Sequence, residues 1–104
     1  MRVIVIRTKL GNIQRRDTSG LLYDLQWLVD GFIEPCAPVQ LREQGIELLC
    51  NEEGLLRHLP ANENLFPFFY VGTVVAIGVG EDEFVGLTEE QEAFVLEWLS
   101  GLGY

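Results

Sequence analysis

The side chains best suited to chemistry fall in one short polar stretch between apolar runs: Asn51, Glu52, Glu53, His58 and Asn62. Clustered carboxylates and amides suit a hard cation, and a histidine near a carboxylate titrates close to neutrality. These five residues therefore define a candidate ligand-binding, metal or acid–base site. Their spacing fits no metal motif, and the adjacent Glu52 and Glu53 would point to opposite faces of an extended chain. Turn chemistry explains the same residues more simply. Asn51 can cap a turn, Gly54 can supply a positive φ, and Pro60 with Asn62 can fix a second turn. No cofactor, resident metal or catalytic residue is assigned, and the balance is against an enzyme.

Other chemistry is weaker still. Cys36 and Cys50 can face each other across a hairpin, but reduced, buried thiols acting as small apolar groups are expected in a cytoplasmic chain. The run Gly78-Val79-Gly80-Glu81-Asp82-Glu83 lacks the third glycine of a dinucleotide loop, and its acids would repel a pyrophosphate. Ser19 and Ser100 lie outside any Gly-x-Ser-x-Gly context, and the lone histidine has no orienting signature, which argues against a serine or cysteine hydrolase.

The 104 residues are enough for a single domain, residues 1–104, and 48% hydrophobic against 22% charged residues supports a packed core. The longest apolar runs, 3–6 and 71–79, are far short of the roughly 20 residues that cross a bilayer. The first run is also too short for a signal peptide, so a first strand and a cytoplasmic location are expected. Charge is polarised. Residues 1–50 hold six basic and six acidic groups, whereas residues 51–104 hold Arg57 against ten acids, which accounts for the net charge of −9. That surface disfavours direct nucleic-acid binding and would attract a basic partner.

Certain elements must position these groups. Val3, Ile4, Val5 and Ile6 predict a strand buried on both faces, followed by a turn at Gly11 and Asn12 and a further short strand. Thr18 or Ser19 can cap a helix whose apolar face is Leu21, Leu22, Leu25, Leu28 and Val29, with Gly31 as a left-handed terminator. Tyr23 and Trp27 lie on its flank, where packing over the sheet rim is favoured over exposure to a partner. Residues 32–36 and 39–41 read as extended segments broken by Pro35 and Pro38, and residues 42–45 as a turn into a strand over 46–50. Residues 55–62 fit either a short strand or one helical turn stopped by Pro60. An aromatic cluster at 66–70 precedes a buried strand over 71–79. A last helix begins at Thr88 with a capping box to Gln91 and buries Phe94, Val95, Trp98, Leu99 and Leu102, with Gly101 and Gly103 closing it. The expected fold is α+β: a mostly antiparallel sheet of about four or five strands with two amphipathic helices packed on one face.

Leu25-Gln26-Trp27-Leu28-Val29-Asp30-Gly31-Phe32-Ile33-Glu34, Cys50-Asn51-Glu52-Glu53-Gly54, Leu59-Pro60-Ala61-Asn62, Val71-Gly72-Thr73-Val74-Val75 and Leu87-Thr88-Glu89-Glu90 occur in that order. Together they resemble the domain-of-unknown-function family numbered 3846 over nearly the whole chain. Asp30 stands where the family pattern has the first glycine of a pair. The resemblance implies a small protein of bacteria and their phages or mobile elements, with no established activity and no catalytic residues to carry over. The favoured expectation is a non-enzymatic module that binds an unidentified protein through its acidic half or the aromatics around Phe66 and Tyr70. That partner is basic if it docks on the acidic half, and oligomeric state is left open. The alternative is a small ligand- or metal-binding domain or enzyme centred on residues 51–62.

Overall fold

A computed structural model describes residues 1–20 and 22–102. The strands are β1 (Arg2–Ile6), β2 (Ile13–Asp17), β3 (Ile33–Pro35), β4 (Ile46–Asn51), β5 (Val74–Val79) and β6 (Phe84–Val85). The helices are α1 (Leu22–Val29), α2 (Val39–Arg42) and α3 (Glu89–Leu102), with a 3₁₀ turn at Glu63–Leu65. All strand pairs are antiparallel, in the order β2-β1-β5-β4-β3, and β6 adds to the far end of β5. The fold is α+β, with one or two more strands than expected.

β1 and β5 decide the layering. Each is apolar at successive positions, so each sends side chains to both faces of the sheet. Ile4, Ile6, Leu48, Val74 and Ala76 pack on one side with Leu41 of α2, Leu65 of the 3₁₀ turn, and Val95 and Leu99 of α3. Val3, Val5, Leu49, Val75 and Ile77 pack on the other with Leu25, Leu28 and Val29 of α1. The expectation that both amphipathic helices share one face is therefore corrected: α1 and α3 cover opposite faces. A strand with no polar side needs cover on both sides, and two helices on one face would leave Val3, Val5, Val75 and Ile77 in water.

Several local expectations hold. Thr88 and Gln91 form a reciprocal capping box, each backbone N–H donating to the other side chain at 3.0 and 3.1 Å. Phe94, Trp98 and Leu102 join Val95 and Leu99 on the core side of α3, which runs through Gly101. Gly103, and Leu21 of the α1 stripe, lie outside the described residues. Residues 39–41 differ: they form α2 rather than a strand. Pro38 has a φ of −70° at its N-cap, and the buried Glu47 carboxylate gathers this corner by accepting from the Ala37 N–H at 2.7 Å and Arg42 Nε at 3.2 Å. Two apolar residues flanking Gln40 do not distinguish strand from helical turn.

The helix terminator is also displaced by one residue. Asp30, not Gly31, is left-handed, with φ +60°. The Gly31 N–H donates to Gln26 O at 2.9 Å and the Asp30 N–H to Trp27 O at 3.2 Å, the two bonds of a Schellman cap. Gly31 is needed for another reason: a Cβ there would lie 2.5 Å from Asn51 Nδ2. No helix of the described residues is long and apolar enough to cross a membrane.

The two-sided core makes a quantitative prediction. Leu25→Ala and Leu99→Ala should each lose about 2–5 kcal/mol in urea unfolding. Because the sheet separates them, the double variant should equal the sum of the singles within about 0.5 kcal/mol. Strong coupling would contradict cover on opposite faces.

Candidate functional site

The five candidate residues separate into two structural roles. Asn51 closes β4 and is buried. Its Nδ2 donates to Val29 O at 3.1 Å and Asp30 O at 2.9 Å, while its Oδ1 accepts from the Glu53 N–H at 2.8 Å. One carboxamide thus caps the end of α1 and starts the turn after β4. Asn62 is fully buried and does the same elsewhere. Its Nδ2 donates to Ile6 O at 3.0 Å and Gly72 O at 2.9 Å, and its Oδ1 accepts from the Asn64 N–H at 3.1 Å. Both amides are spent on backbone groups that would otherwise be buried without partners.

Glu52, Glu53 and His58 are exposed. Among the described residues, no hydrogen bond or ion pair joins their side chains to either asparagine. No group of three His, Cys, Asp or Glu side chains there is arranged to hold a metal ion. His58 contributes mainly through its backbone, with φ +53°. The Leu59 N–H donates to Gly54 O at 3.0 Å and the His58 N–H to Leu55 O at 3.2 Å, so residues 54–59 form one helical turn with a second Schellman cap. This decides between the strand and the helical turn. Gly54 does not take the positive φ expected of it; a Cβ there would lie 2.7 Å from Val71 Cγ2. Arg57 joins the two caps, donating from Nη1 to Asp30 O and from Nη2 to the Asp30 carboxylate at 2.9 Å.

Asn64, which the sequence did not single out, belongs with these ties. Its Nδ2 donates to Arg7 O and Lys9 O, both at 2.8 Å, and its Oδ1 accepts from the Gly11 N–H at 2.8 Å. The spacing Asn62-x-Asn64 before an apolar residue was the available signal. No buried side-chain nitrogen or oxygen of the described residues lacks a partner.

A second cluster sits beside β3 and β4. The register pairs Glu34 with Cys50, and the Cys36 N–H donates to Leu48 O at 2.8 Å, so the cysteines are diagonal neighbours rather than directly opposed. Both are free and half-buried. Each thiol donates to a backbone carbonyl, Cys36 Sγ to Leu48 O at 3.4 Å and Cys50 Sγ to Glu34 O at 3.5 Å. Interaction with Cys50, and then burial, pushes the Cys36 thiol up, and interaction with Cys36 draws Cys50 down. The Tyr70 hydroxyl donates to Cys36 O, and burial raises its pKa.

Aromatic side chains occupy a third surface. Tyr23 is 66% and Trp27 73% exposed, contrary to the expectation of rim packing. An eight-residue helix buries one stripe, and Leu25, Leu28 and Val29 fill it. Trp27 lines a groove with Arg7, Leu59 and Pro60 on one side and another with Arg16, Asp24 and Leu28 on the other. Of the aromatics at 66–70, Phe68 turns inward against Trp98 with ring centroids 5.7 Å apart, while Phe66 and Phe69 stay exposed.

These features define a class: a small α+β domain whose sheet is covered on both faces and whose end loops are tied by asparagine carboxamides. The chain belongs to the family described as domain of unknown function DUF3846, whose model matches residues 1–100. No curated protein and no solved structure matches the chain.

Asn62→Ala should cost about 2–4 kcal/mol, because it orphans buried carbonyls and an amide. His58→Gly should instead stabilise by up to about 1 kcal/mol, because it relieves a left-handed residue. Urea unfolding of both variants checks the pair of signs. Separately, limited alkylation followed by peptide mapping should label Cys50 on the order of tenfold faster than Cys36, since the thiolate is the nucleophile.

Proposed function

We propose that the protein is a non-enzymatic protein-interaction module whose working surface is the outer side of α1 and the adjoining edge of the sheet. The observation that carries this reading is the exposed pair Tyr23 and Trp27, with Arg7 and Arg16 lining the grooves on either side of Trp27. Tyrosine, tryptophan and arginine are the residue types that dominate binding energy at interfaces. Arg7 and Arg16 make no ion pair among the described residues, whereas Arg2, Arg42 and Arg57 are each paired with a carboxylate.

The saturation of Asn51 and Asn62 by backbone groups favours this reading over a ligand, metal or catalytic site at residues 51–62. A basic partner drawn to the acidic half is the less favoured interface. Glu92 of that half is buried and engaged by Arg2 at 3.4 Å, which removes it from any external acidic array. The family resemblance supports an origin in a phage or mobile element, and the two free thiols fit a cytoplasmic setting.

Tagged protein should capture a stoichiometric partner from bacterial lysate, and Trp27→Ala should reduce that capture at least about tenfold, as expected of a central aromatic anchor. Capture indifferent to Trp27 and lost in high salt would move the interface to the acidic half.

A further inference from the structure

The β1–β2 hairpin is the basic part of an acidic protein. Residues 1–20 hold five of the seven basic groups and one acid, Asp17. Arg2 is engaged by Asp17 and Glu92, but Arg7, Lys9, Arg15 and Arg16 form no ion pair among the described residues. Two of these lie on β2, the outer strand of the sheet. Its partner on the inner side is β1, and no described strand pairs with its outer side.

β2 is five residues long, contains no proline, and is exposed at four of its five positions. The opposite edge differs: β3 has three residues and ends at Pro35, which has no N–H to offer. Register fixes where the β2 side chains point. Arg16 and Gln14 lie opposite Val3 and Val5 on the α1 face, and Arg15 lies opposite Ile4 on the α3 face. An incoming strand would therefore meet an arginine on each face and outward backbone groups between them.

The geometry points to β2 as a strand-addition site for an acidic extended segment of a partner protein, with its backbone on the outer edge of β2 and its carboxylates beside Arg15 and Arg16. This rests on the interaction-module reading and names the chemistry of that partner. Arginines on an open edge deter neutral and basic strands. The same charges select a strand whose carboxylates alternate between faces, since opposite charges across a strand pair stabilise it and like charges oppose it. A second copy is a poor occupant, because full antiparallel overlap of two β2 strands sets the same arginine of each copy face to face. A nucleic acid is also disfavoured. A short acidic segment meets mainly the basic hairpin, with the acidic half screened beyond about 8 Å at physiological salt. A polyanion would continue onto acids that border both arginines, Asp24 beside Arg16 and Glu89 and Glu92 beside Arg15.

Selection of random decapeptides displayed on phage against the full chain tests this. Enriched sequences should carry Asp or Glu at alternate positions. A synthetic peptide from that set should bind at least about tenfold more weakly to an Arg15→Glu, Arg16→Glu double variant, and to the wild type when its alternate backbone amides are N-methylated. Both arginines are exposed, and an unchanged melting temperature establishes that the variant is folded. Absence of enrichment, enrichment without acids, indifference to N-methylation, or preferential binding of a deoxythymidine oligonucleotide would overturn strand addition. If any of these occurs while Trp27-dependent capture from lysate persists, the interaction module stands and the edge proposal alone fails.

Discussion

The structure depends on a central pair of strands with no polar side. β1 and β5 are buried along both faces, so the sheet is stable only with cover on each. α3, the longest helix, supplies one cover with help from α2 and the 3₁₀ turn, whereas α1 supplies the other. A two-turn helix has few apolar positions to give, and the buried stripe takes Leu25, Leu28 and Val29. Leu22, Tyr23 and Trp27 are left on the solvent side. The aromatic surface that supports an interaction role is thus a consequence of how little helix covers that face.

Three asparagines then hold the loops to the sheet. A carboxamide donates two hydrogen bonds and accepts another, so one buried side chain satisfies backbone groups from separate segments. Asn51 links β4 to the end of α1, Asn62 links the segment before the 3₁₀ turn to β1 and to the loop leading into β5, and Asn64 links it to the β1–β2 turn. What resembles a catalytic stretch in the sequence is largely a set of such ties. The position of Asp30 carries the same lesson. It takes the left-handed position that the Schellman cap requires, which aspartate tolerates better than most. Arg57 then engages the carboxylate.

Legibility in the sequence followed the range of the interactions. The β1 run, the Thr88–Gln91 capping box and the α3 stripe rest on neighbours within a few residues, and each was readable. The side of the sheet on which α1 packs is a long-range fact, although unbroken apolarity in β1 already implied cover on both faces. Gly31 could be read as a helix stop, but its close approach to Asn51 involves residues far apart in the chain. Tyr23 and Trp27 are large enough to suggest burial, and their exposure follows from the short span of α1, which composition does not reveal. In the candidate site, residue types already favoured turns over chemistry, but the backbone groups that Asn51 and Asn62 engage lie on distant segments that local pattern does not reveal.

The proposed contact role rests on an exposed tryptophan between arginines and a basic hairpin at one edge of an acidic protein. The most direct test of that account is acrylamide quenching in a Trp98→Phe variant, where Trp27 is the single remaining tryptophan. The account predicts the emission of a hydrated indole, quenched nearly as freely as a small indole in solution and independent of protein concentration. A blue-shifted, poorly quenched emission in dilute protein would place Trp27 inside its own fold and contradict the assigned surface.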